Sequence, residues 1–179
     1  VNVGPTPRIL EGLSRQLDRA HRRTEAPVSI VGWSLGGIYA RELARARPDV
    51  VRQVITLGSP IQMVEHDSSS AQPIWQALRK YHAPNRVRSV RDVDRPELAV
   101  PNTSIYSKSD GIVAWQSCLV ARTAISENIR VFGSHCGLGF NTAVITAIAD
   151  RLAQPAGEWK HFSPPWLMKG AYPKATDLD

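Results

Sequence analysis

The stretch Pro27-Val28-Ser29-Ile30-Val31-Gly32-Trp33-Ser34-Leu35-Gly36-Gly37 constrains this chain more than any other. Its first half is short, apolar and rich in β-branched residues, which fits a buried strand. Its second half opens a helical pattern from Ser34 to about Ala46, with Leu35, Ile38, Tyr39, Leu43 and Ala44 on one face and Pro48 closing it. The junction reads Gly-x-Ser-x-Gly, from Gly32 to Gly36. A strand that becomes a helix within one residue must turn sharply, and both glycines are expected to sit too close to their neighbours for a side chain. Such a turn lifts Ser34 Oγ clear of the sheet at a helix N-terminus, where developing negative charge is favoured. It also aims the Leu35 N–H at the same place.

The rest of the chain repeats the strand-then-helix rhythm. A helix is expected over Thr6–Arg23, with Thr6 as N-cap and Pro7 at the first turn. Val51–Leu57 reads as a second strand, ended by Gly58-Ser59-Pro60. Thr103–Ser107 and Asn128–Phe132 read as strands, a short helix falls near Val113–Val120, and a long one runs from Asn141 to about Leu152. Between Ile61 and Pro101 the rhythm breaks, with one helical piece around Ile74–Tyr81. Arg79, Lys80, Arg86, Arg88, Arg91 and Arg95, set against Asp92 and Asp94, read as a solvated loop. The Pro- and Trp-rich tail after Gln154 is expected to be packed extended chain. Alternation of this kind predicts an α/β fold: a mostly parallel sheet with helices on both faces and its reactive residues at the carboxyl ends of the strands.

Length and charge bound the classes. The 179 residues suit one domain, with 42% hydrophobic residues to build its core. No apolar run is long enough to span a bilayer. Val1 to Pro5 show no signal peptide, which leans the expectation toward the cytoplasm. The net charge of +6 comes without interleaved aromatics or a nucleic-acid motif, so an Arg-rich surface is expected and no nucleic-acid partner. Two cysteines, Cys118 and Cys136, are too few for a zinc site or a disulfide scaffold, and no metal is expected. They could form one bridge pinning the segment between them, or remain two buried thiols.

A serine hydroxyl needs a base, and the base needs an acid to orient it. Among five histidines, His135 in Gly133-Ser134-His135-Cys136-Gly137 follows a strand, whereas His161 lies in the tail, where packing explains it. His21, His66 and His82 fall on helices or loops ahead of the acid. Asp110 follows a strand in Ser107-Lys108-Ser109-Asp110-Gly111, with Asp67 as the alternative acid. Ser34, Asp110 and His135 would then all stand at strand ends, in the order Ser, Asp, His.

These three blocks, Val31–Gly37, Tyr106–Gly111 and Gly133–Gly139, resemble the catalytic blocks of the α/β-hydrolase superfamily, in its compact bacterial esterase and triacylglycerol-lipase branch. The resemblance spans most of the chain. It implies Ser34 as nucleophile, Asp110 as acid, His135 as base and the Leu35 N–H as an oxyanion donor. It implies a carboxylic ester hydrolase working through an acyl-enzyme on a small or lipid-like ester, without a cofactor. Residues 61–101 would form a small cap, with Trp33, Ile61, Met63 and Trp75 as candidate pocket residues. A serine nucleophile excludes aspartate-dependent dehalogenation and epoxide hydrolysis, but leaves esterase, lipase, thioesterase and acyltransferase open. The superfamily's sheet has eight strands, and those read here correspond to its last four. The earlier ones, with the loop donating the second oxyanion N–H, would precede Val1. The exposed edge of the Val28–Val31 strand then implies either a homo-oligomer or a missing N-terminal half. The alternative function is a catalytically weak binding or assembly protein.

Overall fold

The computed structural model describes residues 7–62 and 92–176. Four parallel strands form one sheet in chain order: β1 (Val28–Trp33), β2 (Val51–Leu57), β3 (Asn102–Ser107) and β4 (Ser126–Val131). Helices α1 (Pro7–Thr24), α2 (Leu35–Ala46) and α3 (Thr142–Ala153) cover it. Each expected strand and each of these helices forms within two residues of its reading.

The register explains how one strand serves two faces. Between the pairs Val28–Val51 and Ser29–Gln53, β2 carries one extra residue, a bulge that resets the alternation. Val51 and Val54 thus both join Leu17, Ala40, Leu43 and Ala44 of α1 and α2. Ile55 and Leu57 join Ile105, Ile129, Val131 and the α3 residues Ala143, Val144 and Ala147 on the opposite face. A third cluster, Tyr106, Val113, Cys118 and Leu119, lies under the loop that follows β3.

Three expectations change. The basic stretch does not end as a solvated loop: the partly buried carboxylate of Asp92 accepts from Arg41 Nε at 3.0 Å and from Arg45, while Arg95 pairs with Glu42. Ion pairs thereby clamp the start of the segment leading into β3 onto α2. The helix near Val113–Val120 is only a 3-10 turn, Trp115–Cys118. In the tail, a 3-10 helix at Trp166–Ala171 interrupts the extended chain, and Phe162, Met168 and Tyr172 pack against the α3 cluster. Amphipathic contact with α3 supplies the order that Pro-rich sequence does not signal. The cap-like helix around Ile74–Tyr81 lies outside the described residues.

Candidate active site

Ser34, Asp110 and His135 follow the carboxyl ends of β1, β3 and β4. Ser34 is the N-cap of α2 with φ 53 and ψ −124, a conformation that costs an L-residue on the order of 1–3 kcal/mol. Its hydroxyl makes no cap hydrogen bond, and its amide donates to the Leu57 carbonyl of β2 at 2.8 Å. The backbone is thus fixed by the sheet while Oγ is left for other work. The next amide, that of Leu35, opens the helix and has no intrahelical acceptor.

The glycines divide differently from the sequence reading. A Cβ on Gly32 would lie 2.5 Å from the Gly36 carbonyl oxygen and from Gly37 Cα. On Gly36 it would meet no described atom within 4 Å, so the expected crowding there is absent among the described residues. Gly37 takes that part instead, with Ser59 Oγ 2.1 Å from its notional Cβ. The helix presents Gly37, not Gly36, to β2.

Asp110 and His135 are 4% and 5% exposed, and His135 Nδ1 lies 2.7 Å from Asp110 Oδ2. The other carboxylate oxygen accepts from the amides of Ile112 at 3.0 Å and Val113 at 2.6 Å. Burial alone would push the Asp110 carboxyl up. The hydrogen bonds from His135, Val113 and Ile112 outweigh it and hold the group below its ordinary value. An ionised carboxylate only accepts, so Nδ1 must donate to it, and in the neutral imidazole the lone pair is then on Nε2. Beneath the pair lies Gly58, at φ 52, whose notional Cβ would stand 3.0 Å from Asp110 Oδ2 and 3.2 Å from His135 Nδ1. The sequence marked Gly58 only as a strand end, and its place under the dyad had no local signal.

Trp33, the residue before Ser34, packs its ring 5.6 Å from the His135 ring and donates its indole N–H to the His135 carbonyl at 3.2 Å. Ile61 is buried, its carbonyl accepting from the Asp92 amide. Met63, Trp75, His66, Asp67 and His82 lie outside the described residues. His161 is exposed and donates to the Thr123 carbonyl at 3.1 Å, a packing role as expected. A cavity of about 160 Å³ lined by Arg41, Gln62, Asp92, Asn102 and Ser126 lies at the other end of β3 and β4.

The expected bridge is not formed. Cys118 is buried against Tyr106 and Leu119, whereas Cys136 is exposed on the histidine loop, and both are free thiols. The 3-10 turn Trp115–Cys118 carries Cys118 inward, away from solvent. Among the described residues no group of acidic, His and Cys side chains could hold a metal ion, and no helix is long and apolar enough to cross a membrane.

No protein-family model matches the chain, and no curated protein matches its sequence. Solved structures do match its fold. The NocB thioesterase domain, captured covalently with a fluorophosphonate nocardicin G analogue, superposes with a TM-score of 0.53 at 16% identity, covering 84% of this chain and 77% of its own. MGS-MChE2, an α/β hydrolase from the metagenome of Mar Chica lagoon sediments in Morocco, gives 0.52 at 16%, covering 79% and 70%. A lipase-esterase related protein from Clostridium acetobutylicum gives 0.51 at 13%, covering 80% and 72%. At such identities the likeness is one of architecture. By that architecture the chain has the α/β-hydrolase fold. That fold is the one the resemblance of the three sequence blocks implies.

Proposed function

We propose that this chain is a serine hydrolase that cleaves carboxylic esters through an acyl-enzyme. The reading is carried by the buried Asp110–His135 hydrogen bond at the same carboxyl end of the parallel strands as a serine held at φ 53. Ser34 Oγ attacks the ester carbonyl carbon while His135 Nε2 takes its proton, and the carbonyl electron pair moves onto oxygen. The Leu35 N–H and the positive end of α2 stabilise that oxyanion. Collapse expels the alkoxide, which leaves as alcohol with the proton from His135. Water then attacks the acyl-enzyme with His135 again as base, releasing the acid and restoring Ser34. Asp110 remains ionised and holds the imidazole in the tautomer that this cycle needs.

The substrate is a small or lipid-like ester, and the cycle requires no cofactor. Self-association accompanies this reading: among the described residues β1 has a hydrogen-bonded neighbour on one edge only, with Val31 and Trp33 42% and 47% exposed. Hydrolysis of p-nitrophenyl acetate and butyrate, with labelling by a fluorophosphonate probe, tests the catalytic reading. Wild-type protein is expected to do both and Ser34→Ala neither. Equal turnover in Ser34→Ala would sink it.

A further inference from the structure

We propose that Trp33 is a positioning residue for His135, acting through its indole N–H and ring rather than as a wall of an acyl pocket. This rests on reading His135 as the general base. An indole nitrogen can only donate, so the 3.2 Å contact has one direction: Nε1–H of Trp33 to the His135 carbonyl oxygen. That oxygen also receives the Leu138 amide at 3.3 Å, and the His135 amide donates to the Asp110 carbonyl at 2.9 Å. The peptide on each side of the imidazole is therefore held, one by the acid loop and one by the elbow that carries Ser34.

The ring contact works in the same direction. The two ring centroids are 5.6 Å apart with planes inclined by 34°, inside the range at which an aromatic face attracts a cation. When His135 accepts the Ser34 proton, the indole π-system is beside the new charge. Because Trp33 and Ser34 are consecutive, one rigid turn sets both the nucleophile and the height of its base. Glycine at Gly32 lets the turn close onto the start of α2, and glycine at Gly37 lets α2 sit against Thr56 and Ser59, so a shift of the elbow is passed to the histidine loop.

The test uses the whole chain with Trp33→Phe, which keeps a ring and loses the donor, and Trp33→Leu, which loses both. For acetate and octanoate esters, Trp33→Phe is expected to lower kcat roughly three- to tenfold, the worth of one hydrogen bond, with KM within about twofold for both. Trp33→Leu should lower kcat further, toward about a hundredfold. Long-range 1H–15N correlations of the His135 ring give a readout that needs no turnover. Wild type should hold the Nδ1–H tautomer, and Trp33→Phe should mix the two. If wild type hydrolyses no ester, the proposed function fails, while the tautomer comparison still decides the positioning. A KM that rises with acyl length, beside unchanged kcat and tautomer, would make Trp33 a pocket wall and overturn the proposal. Wild-type values of all three in Trp33→Phe would overturn it too.

Discussion

Asp110 and His135 are joined twice: the His135 amide donates to the Asp110 carbonyl at 2.9 Å, and the imidazole Nδ1 to the carboxylate at 2.7 Å. Separating the side chains therefore requires moving two loops whose backbones are also tied. The dyad behaves as one unit set across the ends of β3 and β4.

That unity sets the expected kinetics. Ser34→Ala and His135→Ala should each reduce ester hydrolysis to background, and the double variant should be no worse, because the groups act on one transition state. Asp110→Asn keeps the shape and loses the charge, so a fall of about 10²–10⁴ in kcat is expected. Steady-state rates in correctly melting protein check this, and His135→Ala at wild-type rate would remove the base assignment.

The elbow glycines should separate by neighbour. Gly36→Ala meets no described atom and replaces glycine within a helix, so it should be neutral or stabilising by up to about 1 kcal/mol. Gly37→Ala drives a methyl into Ser59, and Gly58→Ala forces a left-handed residue against Asp110 and His135. Each of the latter should lower Tm by several degrees, and Gly58→Ala should lower kcat as well. Thermal melts of the three variants rank them; a Gly36→Ala that melts with Gly37→Ala would contradict the packing.

Acid should act on the fold through opposed carboxylates. Burial would raise Asp92, but Arg41 and Arg45 outweigh it and hold it below 3.8. Its stabilisation is therefore complete above that ordinary value and is lost as pH falls through the lower folded one. Glu127 runs the other way, because burial pushes it up more than the Phe162 amide and Arg151 pull it down. Protonating it favours the fold, so its contribution improves as pH falls through the raised value. Tm against pH should gain from Glu127 on mild acidification and fall below about pH 4. Glu127→Gln should remove the first effect and Asp92→Asn should flatten the second.

Thiol chemistry should distinguish the two cysteines. Burial pushes the Cys118 thiol up, while Cys136 is exposed. Native protein should react rapidly with one equivalent of a disulfide reagent, and denatured, unreduced protein with two. No free thiol after denaturation would restore the bridge.

Light scattering on these 179 residues tests the open edge of β1. Self-association at micromolar concentration is expected, falling when Val31→Lys places a charge on the strand. A monodisperse, cooperatively melting wild-type monomer would refute it.

The order of elements and the residues of the dyad were legible because each rests on local pattern. Apolar periodicity marks the strands and helices, and Gly32-Trp33-Ser34-Leu35-Gly36 marks a turn that few other sequences could make. What escaped depends on pairs distant in sequence. Asp92 reads as one charge among many until Arg41 and Arg45 of α2 are beside it, 51 and 47 positions away. Gly58 and Trp33 gain their meaning from Asp110 and His135, and the bulge in β2 is a property of register rather than composition. The cysteine bridge failed for the same reason, since 18 positions of sequence say nothing about which thiol a 3-10 turn carries inward.

The backbone of Ser34 carries a further consequence for anyone improving this protein. At φ 53 a glycine would be at ease where serine is strained, so the residue proposed as the nucleophile is one that thermal selection would discard. A library screened only for heat resistance should enrich Ser34→Gly and return robust, inert variants. Screening on turnover after heating would keep the strain in place and direct the gains to sites such as Gly36.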